Sequence, residues 1–273
     1  QPPGTWSDDS SLTFLLTESL TGGYDLVDIA KKLVTYRTQA GWTPFGEVFD
    51  IGFTTRKSLD QLNNLLSKEE YSSLSLLRYE ATERDNGNGA LMRILPLYFV
   101  IKDKSFKDQF ELIWQVGSLT HGHIRSALAC FFYLRLLDYL AGGIAIRQAY
   151  QSAINDFIEF TAEQEIAASE LAHFDRITSG KLDELHESEI ESSGYVMHSL
   201  EAALWCLLRE KTYRDTVLAA VNLGHDTDTT AAIVGGLAGA VYGVDSIPGN
   251  WLDALARRSD IDHLCKRLEN RYS

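Results

Sequence analysis

The chain has 273 residues, 45% of them hydrophobic, and carries a formal net charge of −13. Such a surplus of carboxylates excludes a general nucleic-acid binder, which would present a basic face to phosphates, and an adhesive for anionic membrane surfaces. Cys130, Cys206 and Cys265 have neither metal-ligand spacing nor the pattern of a disulfide framework; they read as reduced thiols of a cytosolic protein, and no apolar run approaches the roughly 18 residues of a membrane span.

In chain order, the apolar residues recur with a helical period. Leu12, Leu15, Leu16 and Leu20 follow Asp9 and Ser10, both suited to cap a helix start. Leu26, Ile29, Ala30, Leu33 and Val34 make a second apolar face behind Asp25. Phe106, Phe110, Ile113 and Trp114 make another. Residues 123–140 predict a long helix with Ala127, Leu128, Phe131, Leu134 and Leu137 on its buried side. Further helices are expected at 144–161, 163–174, 195–210 and 213–223. The polar stretch from Thr178 to Ser193 predicts an exposed loop or insertion. Alternating strand patterns are scarce and no βαβ rhythm is present, so the fold class is all-α, a compact orthogonal helical bundle. No repeat or linker divides the chain, and 1–273 is expected to be one domain.

The strongest local signal is Gly224-His225-Asp226-Thr227-Asp228-Thr229-Thr230, between two helical segments. Gly224 would end the first helix, and Asp228 or Thr229 could cap the second. Crowded carboxylates and hydroxyls also suit a hard cation, Mg²⁺ or Mn²⁺, with oxygen ligands. Spacing alone leaves capping and metal binding both open. The letters Asp226-Thr227-Asp228-Thr229-Thr230 also match a phosphatase nucleophile pattern. That pattern belongs at the end of a buried strand, whereas Thr216 to Leu223 reads as helix and too little chain follows for a doubly wound sheet. A calcium loop fails as well, since Ala231 and Leu237 stand where Gly and Glu are needed. The helix that follows is nearly without bulk, and its repeated glycines predict that another backbone comes very close. A second carboxylate pair, Trp6-Ser7-Asp8-Asp9-Ser10, is by itself an ordinary capping sequence; paired with the first cluster it could complete one metal centre.

Trp6-Ser7-Asp8-Asp9-Ser10 resembles the WTDDT motif of the ADP-ribosylglycohydrolase family, of the dinitrogenase-reductase-activating and ADP-ribosyl-acceptor hydrolase type. Asp50-Ile51-Gly52-Phe53-Thr54-Thr55-Arg56 resembles its DIGxTTR segment, and Asn86 to Pro96 its NGNGxxMRxxP segment. Thr120-His121, Gly194 to His198 and Gly224 to Gly243 follow in the family's order. The resemblance implies two divalent cations, Mg²⁺ or Mn²⁺, with Ser7, Asp8, Asp9, Asp226, Asp228 and Thr229 as ligands. It implies Asp50 as general base or nucleophile at the anomeric carbon. Gly52, Gly87, Asn88, Gly89, Met92 and His121 would face the substrate, and Tyr195 would stack on adenine. The implied partners are ADP-ribose and an ADP-ribosylated protein, with arginine the first choice of modified side chain. An ADP-ribosylating toxin is a further candidate partner, and no nucleic acid or membrane is expected. The family's glycine-rich GDALG-like helix has no counterpart within 1–273, which implies a centre completed by a residue outside it. The rival reading is an inactive relative that binds ADP-ribose or blocks a toxin as an immunity protein.

Overall fold

The computed structural model describes residues 1–273 and contains fourteen α-helices and no β-strand. The all-α expectation is therefore met. Ten helices build the framework: α1 (Asp8–Leu20), α2 (Leu26–Gln39), α3 (Phe53–Ser67), α4 (Phe106–Ser118), α5 (Ile124–Ala141), α6 (Ile146–Ala162), α7 (Val196–Arg209), α8 (Tyr213–Asn222), α9 (Thr227–Tyr242) and α10 (Arg258–Tyr272). A buried apolar cluster runs through them from Leu12 to Leu268.

Helix α5 is the centre. Its apolar residues occupy nearly every side, not one stripe, and a helix hydrophobic all round belongs in an interior. Helices α4, α6, α7 and α9 pack around it. Two arginines are buried with it and satisfied by carboxylates: Arg135 meets Asp156 at 2.8 Å, and Arg125 meets Glu170 at 2.9 Å.

Helix α2 begins as its sequence suggests, with the Asp25 carboxylate accepting from the Val27 and Asp28 N–H groups. Three expectations are corrected. Residues 163–174 do not form a regular helix: Ala167 is extended, and a four-residue helical turn, Ala168–Leu171, precedes a 3₁₀ turn. Residues 178–193 are not a free loop, because Leu182, Ile190 and Ser192 are buried and Leu185 accepts a bond from Trp205 Nε1 at 3.1 Å. In α9, the close neighbours of Gly236 are side chains, not a backbone. A Cβ there would lie 2.4 Å from Leu95 Cδ1 and 2.7 Å from the Tyr133 hydroxyl, which donates to the Ile233 carbonyl.

These contacts fix two helix N-termini side by side. Helix α1 packs against α9, α2, α10 and the turn at Leu91–Arg93. Residues far apart in the chain, at the starts of α1 and α9, thus reach one cleft.

Candidate active site between two aspartate clusters

Asp8 and Asp9 are the first two residues of α1, and Ser7 is its N-cap. Asp9 and Ser10 therefore lie within the helix, contrary to the expectation that they precede it. The Ser7 side chain makes no capping bond; its Oγ donates to Asp9 Oδ2 at 2.7 Å. Trp6 anchors the entry to the helix, donating from Nε1 to the Trp42 carbonyl at 2.9 Å and meeting Phe14 edge-on.

Asp226 is the N-cap of α9, a place expected for Asp228 or Thr229, and its side chain also makes no capping bond. Gly224 and His225 both have positive φ, at 81° and 56°, and turn the chain into this helix. Capping was an adequate explanation of both aspartate clusters in the sequence. In the structure no carboxylate of either cluster is used that way. Helix N-termini favour negative charge nearby, yet here the charges crowd one another.

Asp50 lies on the loop before α3, and its backbone carbonyl accepts the Tyr36 hydroxyl. The segment from Asn86 to Arg93 supplies the facing wall. It is joined to the start of α7 by Asn88 N–H to the Gly194 carbonyl and Val196 N–H to the Asn86 carbonyl, each at 3.0 Å. Asn88 Nδ2 donates to Asp226 Oδ2 at 2.7 Å and to Ser199 Oγ at 2.8 Å. One amide thus ties this turn to the second aspartate cluster.

The glycines of the turn have a steric cause. A Cβ on Gly89 would lie 2.4 Å from His121 Cε1, and one on Gly87 would lie 2.9 Å from its Nε2. The turn rests on the imidazole. His121 is buried, its Nδ1 pairs with the Thr120 hydroxyl at 2.9 Å, and burial beside Arg93 pushes its pKa down to about 3. It is a neutral ring at physiological pH. Arg93 is wholly buried; it donates to the Gly89 carbonyl, to the Val116 carbonyl at 3.1 Å and to the Gly117 carbonyl at 3.4 Å. The last two acceptors belong to the C-terminal turn of α4, the negative end of that helix. Burial lowers its pKa to about 10, so it remains charged at neutral pH. Arg93 is the arginine of the NGNGxxMRxxP segment, but the motif does not convey its role as a clamp, and its apolar neighbours Met92 and Ile94 hint at its burial.

These parts enclose a cavity of about 280 Å³. Of the fourteen residues expected at the site, eleven line it: Asp8, Asp50, Gly52, Gly87, Asn88, Gly89, Met92, His121, Asp226, Asp228 and Thr229. Ser7 and Asp9 line an adjoining cavity of about 570 Å³, and Asp228 lines both. Tyr195 lines neither. Its hydroxyl accepts from Arg125 Nη1 at 3.0 Å, which turns it into an ion-pair network with Glu83 and Glu170. Phe53, Thr54, Thr55 and Gly194 complete the lining of the smaller cavity; all lie in recognisable motifs but had no assigned role.

The carboxylates perturb one another. Burial, then the charge of Asp50, raises the Asp8 pKa to about 6, against a lowering contribution from the Gly52 N–H. Burial, then the charge of Asp8, raises Asp9 to about 7, while the Ser7 hydroxyl opposes the shift. Asp50 is also raised, by burial and then by Asp228. Asp9 Oδ1 is buried without any hydrogen-bond partner, an expensive state for a carboxylate oxygen.

The largest cavity, about 860 Å³, lies between α1, Leu95–Phe99 and α10; it is mainly apolar and has no convergent carboxylate set. Ligand atoms of Glu83, His123 and Glu170 lie within 4.8 Å of one another, a spacing that could hold a metal ion. That charge is already met by Arg125, which donates to both glutamates.

Fold and site define an all-helical protein that gathers carboxylates from its two ends around a small polar cleft. The family model for ADP-ribosylglycohydrolase matches residues 1–273, and the chain belongs to that family of glycosyl-bond hydrolases. It is 32% identical to the ADP-ribosylarginine hydrolase Tri1 of Serratia proteamaculans (strain 568) over 97% of this chain and 67% of that protein. It is 28% identical to the ADP-ribosyl-[dinitrogen reductase] glycohydrolase of Rhodospirillum rubrum over 93% of this chain and 74% of that protein. A solved structure titled ADP-ribosylglycohydrolase-related protein complex superposes with a TM-score of 0.77 at 29% identity, over all of this chain and 83% of that one. No helix is long and apolar enough to cross a membrane.

Proposed function

We propose that this protein hydrolyses the N-glycosidic bond between ADP-ribose and an arginine side chain, reversing mono-ADP-ribosylation, and does so with bound divalent cations. The observation that carries the reading is the meeting of Asp8, Asp50, Asp226 and Asp228 in one small cleft with the Gly87–Gly89 turn. The arginine acceptor is supported by likeness to two relatives named ADP-ribosylarginine hydrolase, from Serratia proteamaculans and Pseudomonas putida.

The donor set fits hard cations. Four aspartates with Ser7 and Thr229 offer oxygen alone, the chemistry Mg²⁺ and Mn²⁺ favour. The unpartnered Asp9 Oδ1 and the raised pKa values of Asp8 and Asp9 are what a cation would relieve. We assign Ser7, Asp8, Asp9, Asp226, Asp228 and Thr229 as the residues that would hold it. Such cations would supply Lewis acidity, orienting ribose hydroxyls and stabilising charge as it develops.

The remaining work falls to the chain. Water adds to C1″ of the ribose and the bond from C1″ to the guanidinium nitrogen breaks. The proton that water gives up passes through the Asp50 carboxyl to the departing nitrogen, leaving ADP-ribose and unmodified arginine. Burial, and then the charge of Asp228, raises the Asp50 pKa in the metal-free protein, which makes its carboxylate a stronger base than a free one. The Gly87 and Gly89 N–H groups, unlike that of Asn88, donate to no backbone carbonyl and are offered to the pyrophosphate, with His121 as a neutral rest beneath the turn. Asp50→Asn should abolish turnover of an arginine-linked ADP-ribosyl peptide while the circular dichroism spectrum and melting temperature stay near wild type. Near-normal turnover by that variant would remove Asp50 from the mechanism.

A further inference from the structure

We propose that Phe53, with Phe49 on the other side of Asp50, forms an aromatic seat for the guanidinium of the modified arginine and so sets the acceptor preference. This rests on the function proposed above.

The exposed phenylalanines of the chain are Phe45, Phe49 and Phe53, at 58%, 44% and 83% exposure, and all three fall within nine residues around Asp50. An aromatic ring that exposed contributes little to the core. Phe53 lines the same cavity as Asp8, Asp50 and Asp226; Phe49 lines the adjoining one, which shares Asp228. Phe53 is the first residue of α3, where the Arg56 N–H to Gly52 carbonyl bond of 2.9 Å closes the first turn. Its backbone is therefore held, although its ring is in solvent.

The chemistry selects a planar cation. Ring faces carry negative quadrupole charge and attract cations, guanidinium above all, since it is flat and weakly hydrated. Asp50, the lining carboxylate not assigned to a cation, adds to that attraction and would repel an acidic acceptor segment. A seryl leaving group is neutral and gains nothing from a ring face. The ADP-ribose portion belongs against the Gly87–Gly89 turn, so the two ends of the substrate are read by different groups. Phe53 is consequently a binding residue for the acceptor, not for the nucleotide.

The test compares wild type with Phe53→Ala, Phe53→Leu, Phe53→Tyr and Phe49→Ala. Steady-state kinetics on an arginine-linked ADP-ribosyl peptide are measured together with inhibition by free ADP-ribose. Phe53→Ala and Phe53→Leu should raise KM roughly ten-fold, the scale of a partly desolvated cation–π contact, with kcat within about two-fold of wild type. Phe53→Tyr should behave as wild type, Phe49→Ala should raise KM less, and inhibition by ADP-ribose should be unchanged throughout. The seat is overturned if Phe53→Leu matches wild type, or if Phe53→Ala weakens ADP-ribose to the same degree as the peptide. If wild type cuts the peptide and every Phe53 variant cuts it equally well, the seat fails and the proposed function stands. If wild type does not cut it, both fail.

Discussion

Asn88 joins the glycine turn to the second aspartate cluster, and replacing it should loosen the proposed cation site without removing any of its proposed ligands. Its Nδ2 donates at 2.7 Å to Asp226 Oδ2 and at 2.8 Å to Ser199 Oγ. A hydrogen bond to a charged group contributes roughly 1.5–3 kcal/mol. Asp226 is only half-buried, so the lower end applies. About 1.5 kcal/mol corresponds to roughly ten-fold in affinity, the lower end of the roughly 10–100-fold typical when a ligand's supporting partner is lost. Ser199 keeps its own bond to the Ser193 carbonyl at 3.1 Å, so its loss is smaller. Asn88→Ala should therefore weaken Mn²⁺ binding about ten-fold by isothermal titration calorimetry while the protein still folds cooperatively. Asn88→Asp should weaken it further, because a carboxylate would then face Asp226. Wild-type Mn²⁺ affinity in Asn88→Ala would refute the coupling drawn from these bonds.

The raised pKa values of Asp8 and Asp9, about 6 and about 7, carry a sign. A carboxyl that holds its proton more tightly when folded stabilises fully below its unfolded value near 4, and that stability is lost as pH rises through 6 to 7. In metal-free protein, Asp9→Asn should therefore melt above wild type at pH 8 and no higher than wild type at pH 4; a lower melting temperature at pH 8 would contradict the assignment. Two glycine substitutions should move stability in opposite directions in denaturant titrations. Gly89→Ala drives a methyl into His121 and should cost about 1–3 kcal/mol. Gly239→Ala, within α9 and with no atom within 4 Å of the added Cβ, should gain up to about 1 kcal/mol.

The helical period located α1, α2 and α4 to α8 because each repeats an apolar face over several turns. It failed at 163–174, where Phe174 is the sole buried residue and no face is sustained. The polar composition of 178–193 concealed three anchors, Leu182, Ile190 and Ser192, whose burial depends on packing against other segments. Most of the candidate site was legible as ordered motifs, since Asp8, Asp50, Asp226 and the glycine turn do meet in one cleft. What the motifs could not convey is which partner each group takes. The bond from Asn88 to Asp226 spans 138 residues, and the Arg93 clamp joins a turn to the end of α4. Tyr195, expected at the adenine, has its hydroxyl engaged by Arg125, a contact only the tertiary fold creates.

The proposed reaction is a cation-dependent cut between ADP-ribose and arginine. The direct measurement offers arginine-linked and serine-linked ADP-ribosyl peptides side by side, with Mg²⁺ or Mn²⁺ present and again after exhaustive chelation, following released ADP-ribose by mass spectrometry. Release is expected from the arginine-linked peptide alone, lost on chelation and restored by adding the cation. Release at the same rate after chelation, or from the serine-linked peptide alone, would contradict it.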